Sequence, residues 1–168
     1  MSLAETTVTI VEADLADPAH ARDVVAMTAA YAEDAMGNAR PLDREVLERL
    51  VPALRALPTT LVLLAYADGA VVGIATCFLG FSTFAARPLL NIHDLAVVPE
   101  QRRRGVGRAL LEAAARSARQ RGCVKLTLEV QENNTRARRV YEAAGFAQAH
   151  HAEAAGGALF YARTLEER

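Results

Sequence analysis

Hydrophobic and polar positions divide this chain into short runs with two different periods. "TTVTIVEAD", from Thr6, alternates and is rich in β-branched residues, which predicts a first strand. "ADPAHARDVVAMTAAYAEDA" changes to a helical period, with Asp17 placed to cap and Pro18 to take the first helical position. Gly37 and Asn38 then interrupt it. "PLDREVLERLVPALRAL" repeats apolar residues at Val46, Leu47, Leu50, Leu54 and Leu57 and predicts a second helix, with Pro52 as a kink point. "TTLVLLAYADGAVVGIATCFLGFS" is two apolar runs around Asp68-Gly69, the pair favoured in a type I′ hairpin turn. "PLLNIHDLAVV" is a further long strand stopped at Pro99, and an amphipathic helix from about Gly105 to Arg121 follows, closed by Gly122. "CVKLTLEV" returns to strand, "NNTRARRVYEAAGF" is a short helix ending near Gly145, and the tail carries a last hairpin around Gly156-Gly157.

The order β-α-α-β-β-β-α-β-α-β-β predicts one α/β (α+β) domain spanning residues 1–168. Its central mixed, twisted sheet has six to seven strands flanked by about four helices. The two strands around the central helix form a βαβ unit and should be parallel neighbours.

Composition narrows the function. A formal net charge of −1 gives no overall basic field, and aromatic residues are few, so a nucleic-acid partner is not expected. At 52% hydrophobic residues the chain can bury a core, so disorder is not expected. No apolar run reaches the length of a membrane span, and the first residues lack the pattern of a signal peptide. Cys77 and Cys123 stand far apart without metal-ligand spacing and read as packing residues in a reducing, cytoplasmic setting. His150-His151 would diverge on a strand, so no metal site is expected.

The chemistry concentrates at "VVPEQRRRGVG". Arg102, Arg103, Arg104 and Arg108 surround Gly105, Val106 and Gly107 at the mouth of a helix. First-turn amides have no intrahelical acceptor, and the helix dipole adds partial positive charge, so this loop is an anion site suited to phosphate. The P-loop pattern is absent, and no dinucleotide fingerprint follows the first strand.

The stretch Arg102-x-x-Gly105-x-Gly107 resembles the Q/R-x-x-G-x-G/A signature of the GNAT superfamily of N-acetyltransferases. A second segment is similar to that family's N-x6-Y-x3-GF pattern, as Asn134, Tyr141, Gly145 and Phe146. Arg103 departs from it, standing where many members have glycine. "GFSTFAARPLLNIHDLAVVPEQRRRGVG" more narrowly resembles the diamine and thialysine acetyltransferase branch, although His93-Asp94 stands where that branch has an acidic pair.

The resemblance implies an acetyl-CoA-dependent transfer of an acetyl group to a primary amine of a small molecule such as a polyamine or amino acid. It implies acetyl-coenzyme A as co-substrate, no metal, and a homodimer. It also implies that the Arg102–Arg108 loop cradles the pyrophosphate, that backbone groups near Leu95 and Val97 hold the pantetheine arm, and that Asn134 contacts the coenzyme. Tyr141 becomes the general acid for the leaving thiolate. His93, Asp94 and Glu129 are the candidate bases; His93 and Asp94 can share a site only if a bulge breaks the strand's alternation. Tyr31, Glu33, Asp34 and Met36 after the first helix, with Phe81, Ser82 and Phe84, are candidate walls for the acceptor. A coenzyme A sensor without turnover, a protein N-terminal or lysine acetyltransferase, and a nucleic-acid-binding module are the rival readings.

Overall fold

The computed structural model describes residues 7–149 and 161–163. Strands β1 (Val8–Glu12), β2 (Thr60–Ala67), β3 (Ala70–Ser82), β4 (Arg87–Val97) and β5 (Leu126–Leu128) form one sheet in that spatial order. Helices α1 (Pro18–Glu33), α2 (Arg44–Ala56), α3 (Val106–Gln120) and α4 (Thr135–Ala143) complete the fold, with a 3-10 turn at Pro99–Gln101. This is the expected order as far as α4. Most of the expected final hairpin lies outside the described residues, among which the sheet has five strands rather than six or seven.

Local chemistry explains the boundaries. Asp17 caps α1 by accepting the Ala19 N–H at 2.7 Å, and Pro18 occupies the first helical position. α1 stops at Glu33, before Gly37 and Asn38, because Asp34 turns extended and its carboxylate accepts the Met36 N–H at 2.8 Å. Gly37 packs against that last turn so closely that a Cβ would sit 2.0 Å from the Tyr31 carbonyl oxygen. Pro52 lies inside α2 without ending it; the carbonyl it releases belongs to exposed Glu48. Asp68 and Gly69 both have positive φ, as a type I′ turn requires.

Alternation along β2 builds two cores. Leu61, Leu63 and Ala65 meet Val106, Leu110 and Ala114 of α3 on one face, and Val62 and Leu64 meet Val24 and Met27 of α1 and Val51 of α2 on the other.

β1 to β4 are antiparallel neighbours, while β4 and β5 are parallel, as the βαβ reading requires. That parallel pairing covers only Leu90–Leu126, Asn91–Thr127 and Ile92–Leu128. β4 then continues alone to Val97. At the parting point Cys77 pairs with Ile92 and Thr76 with Asp94, leaving His93 as an extra residue in a β-bulge. Before the bulge the Leu90 N–H donates toward β5, to the Lys125 carbonyl at 3.1 Å; beyond it the Val98 N–H donates toward β3, to Val72 at 3.0 Å. Alternation between those anchors turns the backbone of Leu95 and Val97 away from β3, into the gap that β5 has left.

Candidate active site

A cavity of about 750 Å³ occupies this gap. Met27, Tyr31 and Glu33 line it from the α1 face of the sheet, and Val106, Gly107 and Arg108 from the α3 face, while α4 adds Val140 and Tyr141. The opening therefore connects both faces, and a ligand from one can meet a ligand from the other at the bulge.

The α3 end has the features of an anion cradle. Gly105 takes φ +82 as the N-cap residue of α3, a conformation that costs a residue with a Cβ about 1 kcal/mol. No side chain caps the first turn, so its amides stay available. A Cβ on Gly107 would lie 3.9 Å from both Val97 Cγ2 and Val140 Cγ1, inside the gap. Arg103 has φ +64, which explains why glycine suits that position. Arg103 and Arg108 line the cavity, Arg108 also bonding Glu112 at 2.9 Å. Two expectations change here. Arg104 is exposed and lies outside the lining, because the turn projects it outward. Arg102 lines the cavity with its guanidinium already committed, Nε to the Val97 carbonyl at 3.0 Å and Nη2 to Asp34. Asn134 both caps α4, accepting the Ala137 N–H at 3.2 Å, and lines the cavity. Arg136 of α4 lines it too.

The titratable groups meet where the sheet opens. Burial raises the Tyr141 hydroxyl to about 12, and Tyr31 from the opposite face adds to that rise. Tyr31 is itself raised, first by burial and then by the charges of Asp94 and Asp34. The ring of Tyr141 packs against Phe146 with centroids 6.0 Å apart. The bulge puts His93 and Asp94 together between inward-facing Ile92 and Leu95, which simple alternation would forbid. His93 is exposed, lines the cavity and meets the Phe78 ring edge-on at 5.6 Å. Glu129 lines the cavity just past β5.

Asp94 lies behind that wall rather than in the lining, because its position opposite Thr76 draws it into the packed sheet. Burial raises its carboxyl above the ordinary 3.8, opposed by His93. A carboxyl raised on folding binds its proton more tightly in the native state, so its stabilising contribution is complete below the unfolded value and is lost as pH rises through the folded one. Asp94→Asn is therefore expected to raise the melting temperature at pH 7, and the gain should shrink as pH falls toward 3.8. Melting curves across that range check it; a loss of stability at pH 7 would contradict the burial argument.

From α1 and the loop after it Tyr31, Glu33, Asp34 and Met36 line the cavity. Phe81, Ser82 and Phe84 do not. Ser82 pairs with Arg87 at the far tip of the β3–β4 hairpin and Phe84 is 98% exposed. An antiparallel hairpin carries its tip away by about 3.4 Å per residue, which removes these three from the cleft. Sequence reasoning missed Gln101, Val130 and Gln131, whose positions carry no pattern, and Met27, which precedes Tyr31 by one helical turn and was findable.

Cys77 is fully buried with its thiol raised to about 12 by burial and Asp94, a packing residue as expected. Among the described residues no group of three or more His, Cys, Asp or Glu side chains is placed to hold a metal ion, and no helix is long and apolar enough to cross a membrane. His150 and His151 lie outside the described residues.

Residues 25–146 match the Acetyltransferase (GNAT) family. A streptothricin acetyltransferase of Streptomyces lavendulae is 41% identical over 81 residues, covering 48% of this chain and 41% of its relative. A thialysine N-epsilon-acetyltransferase of Bos taurus is 35% identical over 75 residues, covering 45% and 44%. The chain spans about half the length of the curated relatives it matches. Among solved structures, a probable acetyltransferase superposes with a TM-score of 0.78 at 21% identity, over 95% of this chain and 99% of the other.

Proposed function

The chain belongs to the GNAT acetyltransferase family, and from that premise we propose that it transfers the acetyl group of acetyl-coenzyme A to a primary amine of a small molecule. One observation carries the reading. β4 and β5 part after Ile92 and Leu128, beside a glycine-opened helix mouth, with the backbone of Leu95 and Val97 turned into the gap. The amides of Val106, Gly107 and Arg108 bind the phosphates, while Leu95 and Val97 hold the pantetheine arm in the manner of an added strand. A backbone N–H in the gap faces the thioester oxygen as negative charge develops on it.

His93 takes a proton from the acceptor's ammonium group, and Glu129, across the gap, helps to hold that ammonium. The amine nitrogen then bonds to the acetyl carbon, the carbon–sulfur bond breaks, and Tyr141 gives its hydroxyl proton to the departing sulfur; the tyrosinate takes back the surplus proton of the new amide nitrogen, and His93 releases its proton to solvent. Glu33 and Glu129 make no ion pair among the described residues, so both remain available to a cationic acceptor. The two relatives named for streptothricin and thialysine support a small acceptor. A cytoplasmic homodimer, implied by the resemblance and the cysteine usage, belongs to the same proposal.

Thermal shift with acetyl-coenzyme A, coenzyme A and ATP tests the reading before any acceptor is known. Both coenzymes are expected to raise the melting temperature and ATP is not; at 100 times the dissociation constant the gain is about 2.7 kcal/mol. Absence of any shift with the coenzymes would sink it.

A further inference from the structure

The cleft is crossed at one point by an ion pair between residues 68 positions apart, Arg102 and Asp34. Both side chains are largely shielded, at 26% and 20% exposure. Asp34 is the C-cap of α1, and its two carboxylate oxygens are separately engaged, Oδ1 by the Met36 N–H and Oδ2 by Arg102 Nη2. These contacts hold its carboxyl below the usual range, the Met36 bond contributing most and the Arg102 bond next. The guanidinium of Arg102 continues the chain, its Nε donating to the Val97 carbonyl at 3.0 Å. Elsewhere α1 packs on β2, β3 and α2, whereas the loop that precedes Gly105 follows from β4. Among the described residues this pair makes the side-chain hydrogen bond that joins the end of α1 to that loop.

We propose that the Asp34–Arg102 pair is a positioning strut: Asp34 holds Arg102, and through it the Val97 corner of β4, so that the acceptor helix and the coenzyme loop keep a fixed separation. The inference rests on the reading of the cleft as an acetyl-coenzyme A site. It removes Asp34 from the groups that receive the acceptor's charge, because its own charge is already matched. It also gives Arg102 a task other than binding phosphate directly.

The sign of one effect separates this role from simple electrostatics. Asp34 is an anion on the wall of a site for a polyanion, so deleting its charge alone should tighten coenzyme A binding. A strut predicts the reverse. Asp34→Asn keeps the size and the Oδ1 acceptor for Met36, and loses the charged partner of Arg102. Titration calorimetry with coenzyme A is expected to show about tenfold weaker binding by D34N than by wild type, with a melting temperature moved by no more than about 3 °C. Arg102→Lys keeps the charge and cannot reach Asp34 and the Val97 carbonyl together, so R102K should weaken binding similarly. The double variant should bind no worse than the poorer single one, as members of one unit do. If D34N fails to fold, R102K provides the same readout.

A wild type that binds coenzyme A beside a D34N that binds equally well or tighter overturns the strut alone. A wild type that does not bind coenzyme A overturns the reading of the cleft, and the strut with it.

Discussion

Replacing Tyr141 with phenylalanine is expected to lower kcat about 100-fold while leaving coenzyme A affinity within about twofold. The ring keeps its packing against Phe146, 6.0 Å away between centroids, so the fold should not register the change. Only the hydroxyl is lost. Burial and Tyr31 raise its pKa, so the group is not ionised at neutral pH, and among the described residues no side-chain hydrogen bond engages it. With its pKa raised to about 12, the hydroxyl keeps its proton through the neutral and mildly alkaline range. The wild-type rate should therefore show no alkaline decline from Tyr141 until pH approaches that value. Steady-state kinetics beside coenzyme A calorimetry checks both halves. A kcat within twofold of wild type would reduce Tyr141 to a packing residue on α4. Loss of binding together with rate would give it a structural role.

Gly107→Val is expected to reduce coenzyme A affinity by at least about 100-fold, or ~2.7 kcal/mol. The added Cβ already reaches ordinary contact with Val97 and Val140 at 3.9 Å, and the two further methyl groups have only the gap between β4 and α4 to occupy. Gly107→Ala should do far less, since that Cβ displaces nothing. Gly105→Ala makes an instructive contrast. Nothing lies within 4 Å of a Cβ there, but φ is +82, so the cost falls on the backbone and should appear as about 1 kcal/mol of stability. Calorimetry and melting curves on the three variants separate room for a ligand from room for the chain. A G107V protein that binds coenzyme A as wild type does would place the pyrophosphate elsewhere.

Much of this molecule was legible before its structure. Period-two and helical runs, Asp17-Pro18, Asp68-Gly69 and Gly122 fixed the element order through α4, because each acts on dihedral angles within a few residues. The glycine-bearing turn into α3 was legible for the same reason. The expectation for His93 and Asp94 could only be stated conditionally. Alternation forbids their sharing a site, and whether a bulge relieves that depends on the register β3 imposes across the sheet. Phe81, Ser82 and Phe84 were misplaced because adjacency in sequence to a site strand says nothing about which end of the hairpin faces the cleft.

The sequence by itself determined which segments through α4 are strands and helices, and where they turn. Tertiary structure alone decided that β5 stops short of β4, that the backbone of Leu95 and Val97 faces the resulting gap, and that Asp34 meets Arg102 across it. Periodicity and capping are properties of neighbours along the chain. Register, strand divergence and contacts 68 residues apart arise only when separate elements compete for the same space and the same hydrogen-bond partners.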